Sequence, residues 1–373
     1  MSAPPPAADL PRKLAACLSG KTRWFALRDG LALECGERLP RVEIAYRTWG
    51  RPGAGGRTVL ICHALTGSAD ADVWWPGLIG NGGAFDPRHD YVICSNILGS
   101  CYGSTGPLSR DPVNGQRYRS RFPRISVRDM VHAQQQLIDH LGIDVIDVVV
   151  GPSLGGMQAL EWALCYPQRL RAIVPIGVGG RHSAWCIGIS AAQRAAIYAD
   201  PDWRGGDYDD DHPPEKGMAA ARMMAVCGYR SPESFESRFD RQRRADGRFE
   251  IQSYLDHQGA KINQRFDANA YVRLSQAMND HDVARARGEY DTVLNSIAQP
   301  ALVVSIRSDR LYPPEEQRYL ASRLPNATYA VIESPHGHDG FLIETPALAG
   351  HIRRFLERRV PLRAQAQELQ LVS

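Results

Sequence analysis

The chain has 373 residues, a formal net charge of +3, 43% hydrophobic residues and 23% charged ones. That length suits one large α/β domain with an insertion, or two domains, and supplies ample material for a core. The small, scattered charge marks no nucleic-acid surface, and no apolar run approaches the roughly 20 residues of a bilayer span.

The N-terminal Met1–Pro6 is followed by Arg12–Leu18, an apolar stretch too short for a signal peptide and broken by Ser19-Gly20-Lys21. Residues 1–20 therefore read as a disordered tail. The eight cysteines include no Cys-x-x-Cys pair and no Cys/His ligand spacing, so neither a zinc site nor a disulfide scaffold is expected. Cys62 and Cys94 sit in apolar runs, where a thiol behaves as a small buried hydrophobe. The expected compartment is the reducing cytoplasm.

Taken in order, Glu34–Trp49 alternates loosely through Val42, Ile44 and Tyr46 and reads as early antiparallel strands. Arg51–Gly56 is a loop by composition. Thr58–Cys62 and Tyr91–Ser95 are continuous apolar strands that end at His63–Gly67 and Asn96–Pro107. A helical period over Val127–Leu141 leads into another strand, Ile146–Val150, and Leu170–Ile176 follows as the next. From about Arg181 the strand rhythm stops, and the helical patches Ser190–Tyr198, Gly217–Val226 and Ala268–Met278 read as an inserted lid. Its acidic loop Asp207–Asp211 has a metal-binding alternative, but consecutive aspartates do not converge on one ion as alternating ligands do. Strands resume at Ala301–Ile306 and Thr328–Glu333, and a closing helix over Pro346–Arg358 puts Leu348, Ile352 and Phe355 on one face. Continuous apolar strands alternating with helices imply a mainly parallel sheet with helices on both faces. The expected layout is a core over 21–180 and 299–362, a helical lid over 181–298, and a loose tail over 363–373.

The strand at Val150 stops at Gly151-Pro152-Ser153-Leu154-Gly155, and a helical pattern (Met157, Leu160, Ala163, Leu164) begins at once. Strand, Gly-x-Ser-x-Gly and helix together form a nucleophile elbow, the mark of the α/β-hydrolase fold. A serine hydroxyl needs a base to take its proton and an acid to hold that base. The chain order serine, acid, histidine then selects Ser153, Asp309 after the Ala301–Ile306 strand, and His338 after the last strand. His336 competes as base; His338 is preferred because the base lies on the loop descending into the last helix. His63 reads as a structural support for its loop. Asp339 is badly placed for a triad acid and suits a substrate ammonium instead. The oxyanion hole is expected from the backbone N–H groups of Leu154 and Leu65.

Longer stretches carry a more specific resemblance: Cys62–Gly67, Trp74–Gly80, Val92–Gly99, Gly103–Pro107, Ser153–Trp162, Ser253–Gly259, Arg265–Tyr271, Ser308–Pro314 and Gly337–Leu342. Over roughly Trp24 to Leu356 the chain resembles the homoserine O-acyltransferases of the α/β-hydrolase superfamily. The resemblance implies the triad Ser153, Asp309 and His338, with Arg222 on the substrate carboxylate and Asp339 on its ammonium. It implies acyl-CoA and L-homoserine as partners, a ping-pong acyl-serine route serving methionine biosynthesis, no cofactor beyond acetyl-CoA as co-substrate, and a homodimer through lid helices. Relatives using succinyl-CoA tend to carry arginine where this chain has Leu311, so acetyl is the expected donor, with Arg307 and Arg310 close by in sequence. Ala64–Gly67 favours homoserine over serine as acceptor. Pro152 departs from the family's usual glycine. An esterase with the same triad, and an inert binding protein on the same fold, are the rival readings.

Overall fold

The computed structural model describes residues 10–53 and 55–362; the tail expected over 363–373 lies outside them. Of the tail expected over 1–20, residues 1–9 also lie outside the described ones, while Arg12–Ala15 form a helical turn and Leu14 is buried in the core. Among the described residues ten strands follow: β1 (Arg23–Leu27), β2 (Leu31–Ala32), β3 (Arg38–Leu39), β4 (Val42–Trp49), β5 (Thr58–Cys62), β6 (Tyr91–Ser95), β7 (Val148–Pro152), β8 (Ile173–Ile176), β9 (Ala301–Ile306) and β10 (Ala327–Ile332). β2 and β3 make a small ribbon, and the other eight form one sheet in the order β1-β4-β6-β5-β7-β8-β9-β10. β4 runs antiparallel to β1 and β6, and every pairing from β6 to β10 is parallel. The α/β expectation holds, and the antiparallel edge begins one strand earlier, at β1.

The pleat explains why these strands read as unbroken apolar runs. On β5, Leu60 and Cys62 face one core while Val59 and Ile61 face another. Helices Val127–His140 and Leu154–Cys165 cover the first face, and Thr345–Arg359 covers the second with Leu348, Ile352 and Phe355. Burial on both faces removes the polar alternation of a half-exposed strand. Helix Val127–His140 starts where it does because Ser126 and Asp129 form a reciprocal capping box.

Between β8 and β9 run six helices: Ala184–Tyr198, Glu215–Tyr229, Pro232–Phe239, Glu250–Asn263, Ala268–Asn279 and Tyr290–Asn295. The insertion is tied to the core by charge. Glu161, on the helix after the elbow, lies 2.7 Å from Arg287 of the insertion and 3.2 Å from Arg128. Arg128 also donates to the Arg285 carbonyl at 2.7 Å and pairs with Glu34 at 3.1 Å. The acidic loop is accounted for by cations: Asp210 lies 2.9 Å from Arg117 and 3.5 Å from Arg119, and Asp207 lies 3.8 Å from Arg121. Cys62 and Cys94 are fully buried, as their apolar settings require. Among the described residues no helix is long and apolar enough to cross a membrane.

Candidate functional site

Ser153 occupies the bend between β7 and helix Leu154–Cys165 with φ 53 and ψ −121, a conformation that non-glycine residues rarely adopt. Strain of this kind costs on the order of 1–3 kcal/mol and persists only where the surroundings over-determine it. They do so here. Ser153 N donates to the Ile176 carbonyl of β8 at 2.8 Å, and its own carbonyl accepts from Gly156 and Met157. A Cβ on Gly155 would fall on the Cys62 carbonyl, and one on Gly151 would strike the backbone of both Gly155 and Cys62. The two glycines of the elbow are thus required by the close crossing of β5 under the bend. Pro152 is accommodated as the last residue of β7, opposite Ile176.

Asp309 lies just past the end of β9. Its Oδ1 accepts from the N–H groups of Leu311 and Tyr312, each at 2.9 Å, and its Oδ2 faces His338 Nδ1 at 2.6 Å. A carboxylate only accepts, so the ring proton sits on Nδ1 and Nε2 is left as the acceptor. His338 is packed against Tyr312 and Phe341, both with ring centroids 5.2 Å away. Burial pushes the pKa of His338 down, but the charge and hydrogen bond of Asp309, helped by Asp339, push it up, and the net direction is up.

His336 turns away from this cluster: its Nδ1 meets Ser234 Oγ at 3.1 Å. His63 is a structural residue, with Nδ1 bonded to the Ala64 carbonyl at 2.8 Å and Nε2 accepting from Ile97 N at 3.1 Å. Its complete burial lowers its pKa to about 4, which keeps it neutral.

Ser153 and His338 both line a cavity of about 440 Å³ whose walls come from every level of the chain. Ala64 and Leu65 enter from the loop after β5, and Leu311, Asp339 and Phe341 from the late loops. The insertion contributes Arg222, Tyr229, Lys261 and Arg265. Leu154 N is the first N–H of its helix and has no intrahelical acceptor, so it is free to meet an oxyanion at Ser153. Arg222 has no carboxylate within ion-pair distance among the described residues, and its guanidinium sits 5.7 Å from the Tyr229 ring centroid. The sequence-predicted residues Ser153, His338, Leu65, Arg222, Asp339 and Leu311 therefore share one chamber. Asp309 supports it from behind.

Sequence reasoning missed three participants. Arg230 pairs with Asp339 at 3.0 Å. Arg265 braces the loop that holds Leu65, donating to the Thr66 carbonyl at 2.8 Å and to Tyr102 Oη at 3.2 Å. Arg47 lies 2.7 Å from Asp70 and 2.6 Å from Asp72, fixing the turn that places Val73 and Trp74 at the cavity wall. None is signalled by local spacing, because each partner is distant in sequence. Arg307 and Arg310, left open as donor-binding cations, are not among the cavity-lining residues: they pair with Glu333 and, at 3.4 Å, with Glu233.

The family described as the alpha/beta hydrolase fold matches residues 57–345. The homoserine O-acetyltransferase of Nostoc punctiforme is 54% identical over 337 residues, which cover 89% of this chain and 95% of that protein. Among solved structures, the homoserine O-acetyltransferase of Bacillus anthracis superposes with a TM-score of 0.84 at 25% identity, covering 91% of this chain and 98% of its own. Esterase E22 superposes with a TM-score of 0.82 at 25% identity, covering 90% and 99%. With an elbow serine, a buried histidine–aspartate pair and that degree of identity along most of its length, the chain belongs to the homoserine O-acetyltransferases of the α/β-hydrolase fold.

Proposed function

We propose that this protein moves the acetyl group of acetyl-CoA to the side-chain hydroxyl of L-homoserine through an acetyl-Ser153 intermediate, giving O-acetyl-L-homoserine for methionine biosynthesis. Ser153 Oγ attacks the thioester carbonyl while its proton passes to His338 Nε2, and Asp309 holds the imidazolium that results. The N–H groups of Leu65 and Leu154 receive the oxyanion. The carbon–sulfur bond breaks and the CoA thiolate leaves with the proton. Homoserine then enters, its hydroxyl gives a proton to His338 and attacks the acyl carbonyl, and Ser153 leaves as the free alcohol.

The observation that carries this reading is that a cation and an anion, Arg222 and Asp339, line the same chamber as Ser153 and His338. Opposite charges on the wall of the nucleophile's own chamber suit the carboxylate and ammonium of an amino acid and orient its hydroxyl. A plain esterase gains nothing from them. The insertion walls the chamber with Arg222, Tyr229, Lys261 and Arg265, which restricts the water that would hydrolyse the acyl-enzyme. Leu311 favours acetyl over succinyl, since it sets an apolar side chain, not a cation, at its place on the chamber wall. Arg307 and Arg310 already have acidic partners. No cofactor takes part in these steps.

A homodimer through the insertion is supported by helix Ala184–Tyr198, where Trp185, Ile187 and Tyr198 remain 59%, 37% and 45% exposed. The deciding experiment is a thiol-release assay crossing acetyl-CoA and succinyl-CoA with L-homoserine and L-serine. Turnover with acetyl-CoA that depends on homoserine is expected. Acceptor-independent release at the same rate would make the protein an esterase, the activity named for the E22 structure.

A further inference from the structure

The turn Tyr229–Ser231, between helices Glu215–Tyr229 and Pro232–Phe239, is seamed to the loop that carries His338. Ser231 Oγ donates to the Pro335 carbonyl, and Ser234 Oγ meets His336 Nδ1 at 3.1 Å. Gly337 has φ +64, and a Cβ there would lie 2.8 Å from Ser231 N and 2.9 Å from the Arg230 carbonyl carbon. The Tyr229 ring stands 5.9 Å from that of His338. Within this seam Arg230 Nε lies 3.0 Å from Asp339 Oδ2, with side chains 18% and 22% exposed. Asp339 faces the chamber; Arg230 is not among its lining residues.

We propose that Arg230 is a positioning residue for the acceptor half of the reaction: it holds the Asp339 carboxylate in the orientation that receives the substrate ammonium. This rests on the acceptor reading given above. A partly buried carboxylate with no partner is costly to keep and free to rotate. The guanidinium, through its Nε, takes one oxygen from behind the wall, and the other remains for the chamber. Because the pair exists before substrate arrives, ordering of the carboxylate is complete when homoserine binds. Acetylation of Ser153 involves no ammonium, so the two half-reactions depend on Arg230 differently.

The test uses the full chain with Arg230→Met and Arg230→Lys, measuring thiol release from acetyl-CoA without acceptor and acetyl transfer to L-homoserine. In Arg230→Met the acetylation burst is expected within about threefold of wild type, while KM for homoserine rises about tenfold or more, because Asp339 is no longer held for the ammonium. Arg230→Lys recovers part of it. In an Asp339→Asn background Arg230→Met adds little further loss, because the two residues act as a unit. Equal loss in both half-reactions, or additive losses in the double variant, would overturn the proposal and leave Arg230 a support of the seam. Absence of homoserine-dependent turnover in the wild-type chain would instead sink the acceptor reading itself.

Discussion

His338 Nδ1 and Asp309 Oδ2 stand 2.6 Å apart in full burial, although 29 residues and a complete strand separate them in the chain. The aspartate is fixed first, by two backbone N–H groups on its other oxygen. Asp309→Asn preserves shape but offers the imidazole a group that can donate as well as accept, so the tautomer with Nε2 free is no longer enforced. The expected loss in kcat is on the order of 10³–10⁴, with little change in folding. Single-turnover thiol release and a thermal melt check both halves of that statement.

The same pair sets the pH dependence. On the proposed mechanism His338 acts as base only when deprotonated, and its pKa is displaced upward from the ordinary 6.5, against burial and toward Asp309. Activity should therefore rise with pH through a limb above 6.5, and fall as acid protonates the base. Asp309→Asn removes the chief upward cause, so its residual activity should show a limb at lower pH. A pH profile of kcat/KM for acetyl-CoA in the two proteins decides the direction.

Leu311 holds Asp309 through its backbone N–H, so a change of side chain leaves that contact in place. Its side chain lines the chamber. Leu311→Arg should raise the ratio of succinyl-CoA to acetyl-CoA use by about tenfold or more, by giving a donor carboxylate a charge-assisted partner. Competition between the two thioesters, read by mass spectrometry of the products, measures that ratio.

Glu161 is the acidic hub between core and insertion, with a side chain 1% exposed, beside Arg128 and Arg287. Glu161→Gln leaves Arg287 with a neutral partner and Arg128 with Glu34 alone. Removing one member of a buried ion pair costs about 3–5 kcal/mol. The urea midpoint should fall accordingly, with the amides of Asp282–Arg287 losing hydrogen-exchange protection first. Arg318→Gln, at an exposed pair with Glu315, should change the midpoint little.

Periodicity and motif order determined the elements that bear the chemistry. Double-sided burial makes β5, β6, β7, β8 and β9 legible as apolar runs, and the bend at Ser153 is legible because only glycines fit beside the Cys62 carbonyl. The residues Ser153, Asp309 and His338 follow from chain order alone, for each closely follows the carboxyl end of a parallel strand. Tertiary structure alone decided which charges meet. Arg230 beside Asp339, Arg265 beside Thr66, and Arg307 and Arg310 drawn out to Glu333 and Glu233 are pairings across long sequence separations. A charged side chain reaches several ångströms from its backbone and carries no period, so its partner is fixed only when the insertion closes on the sheet.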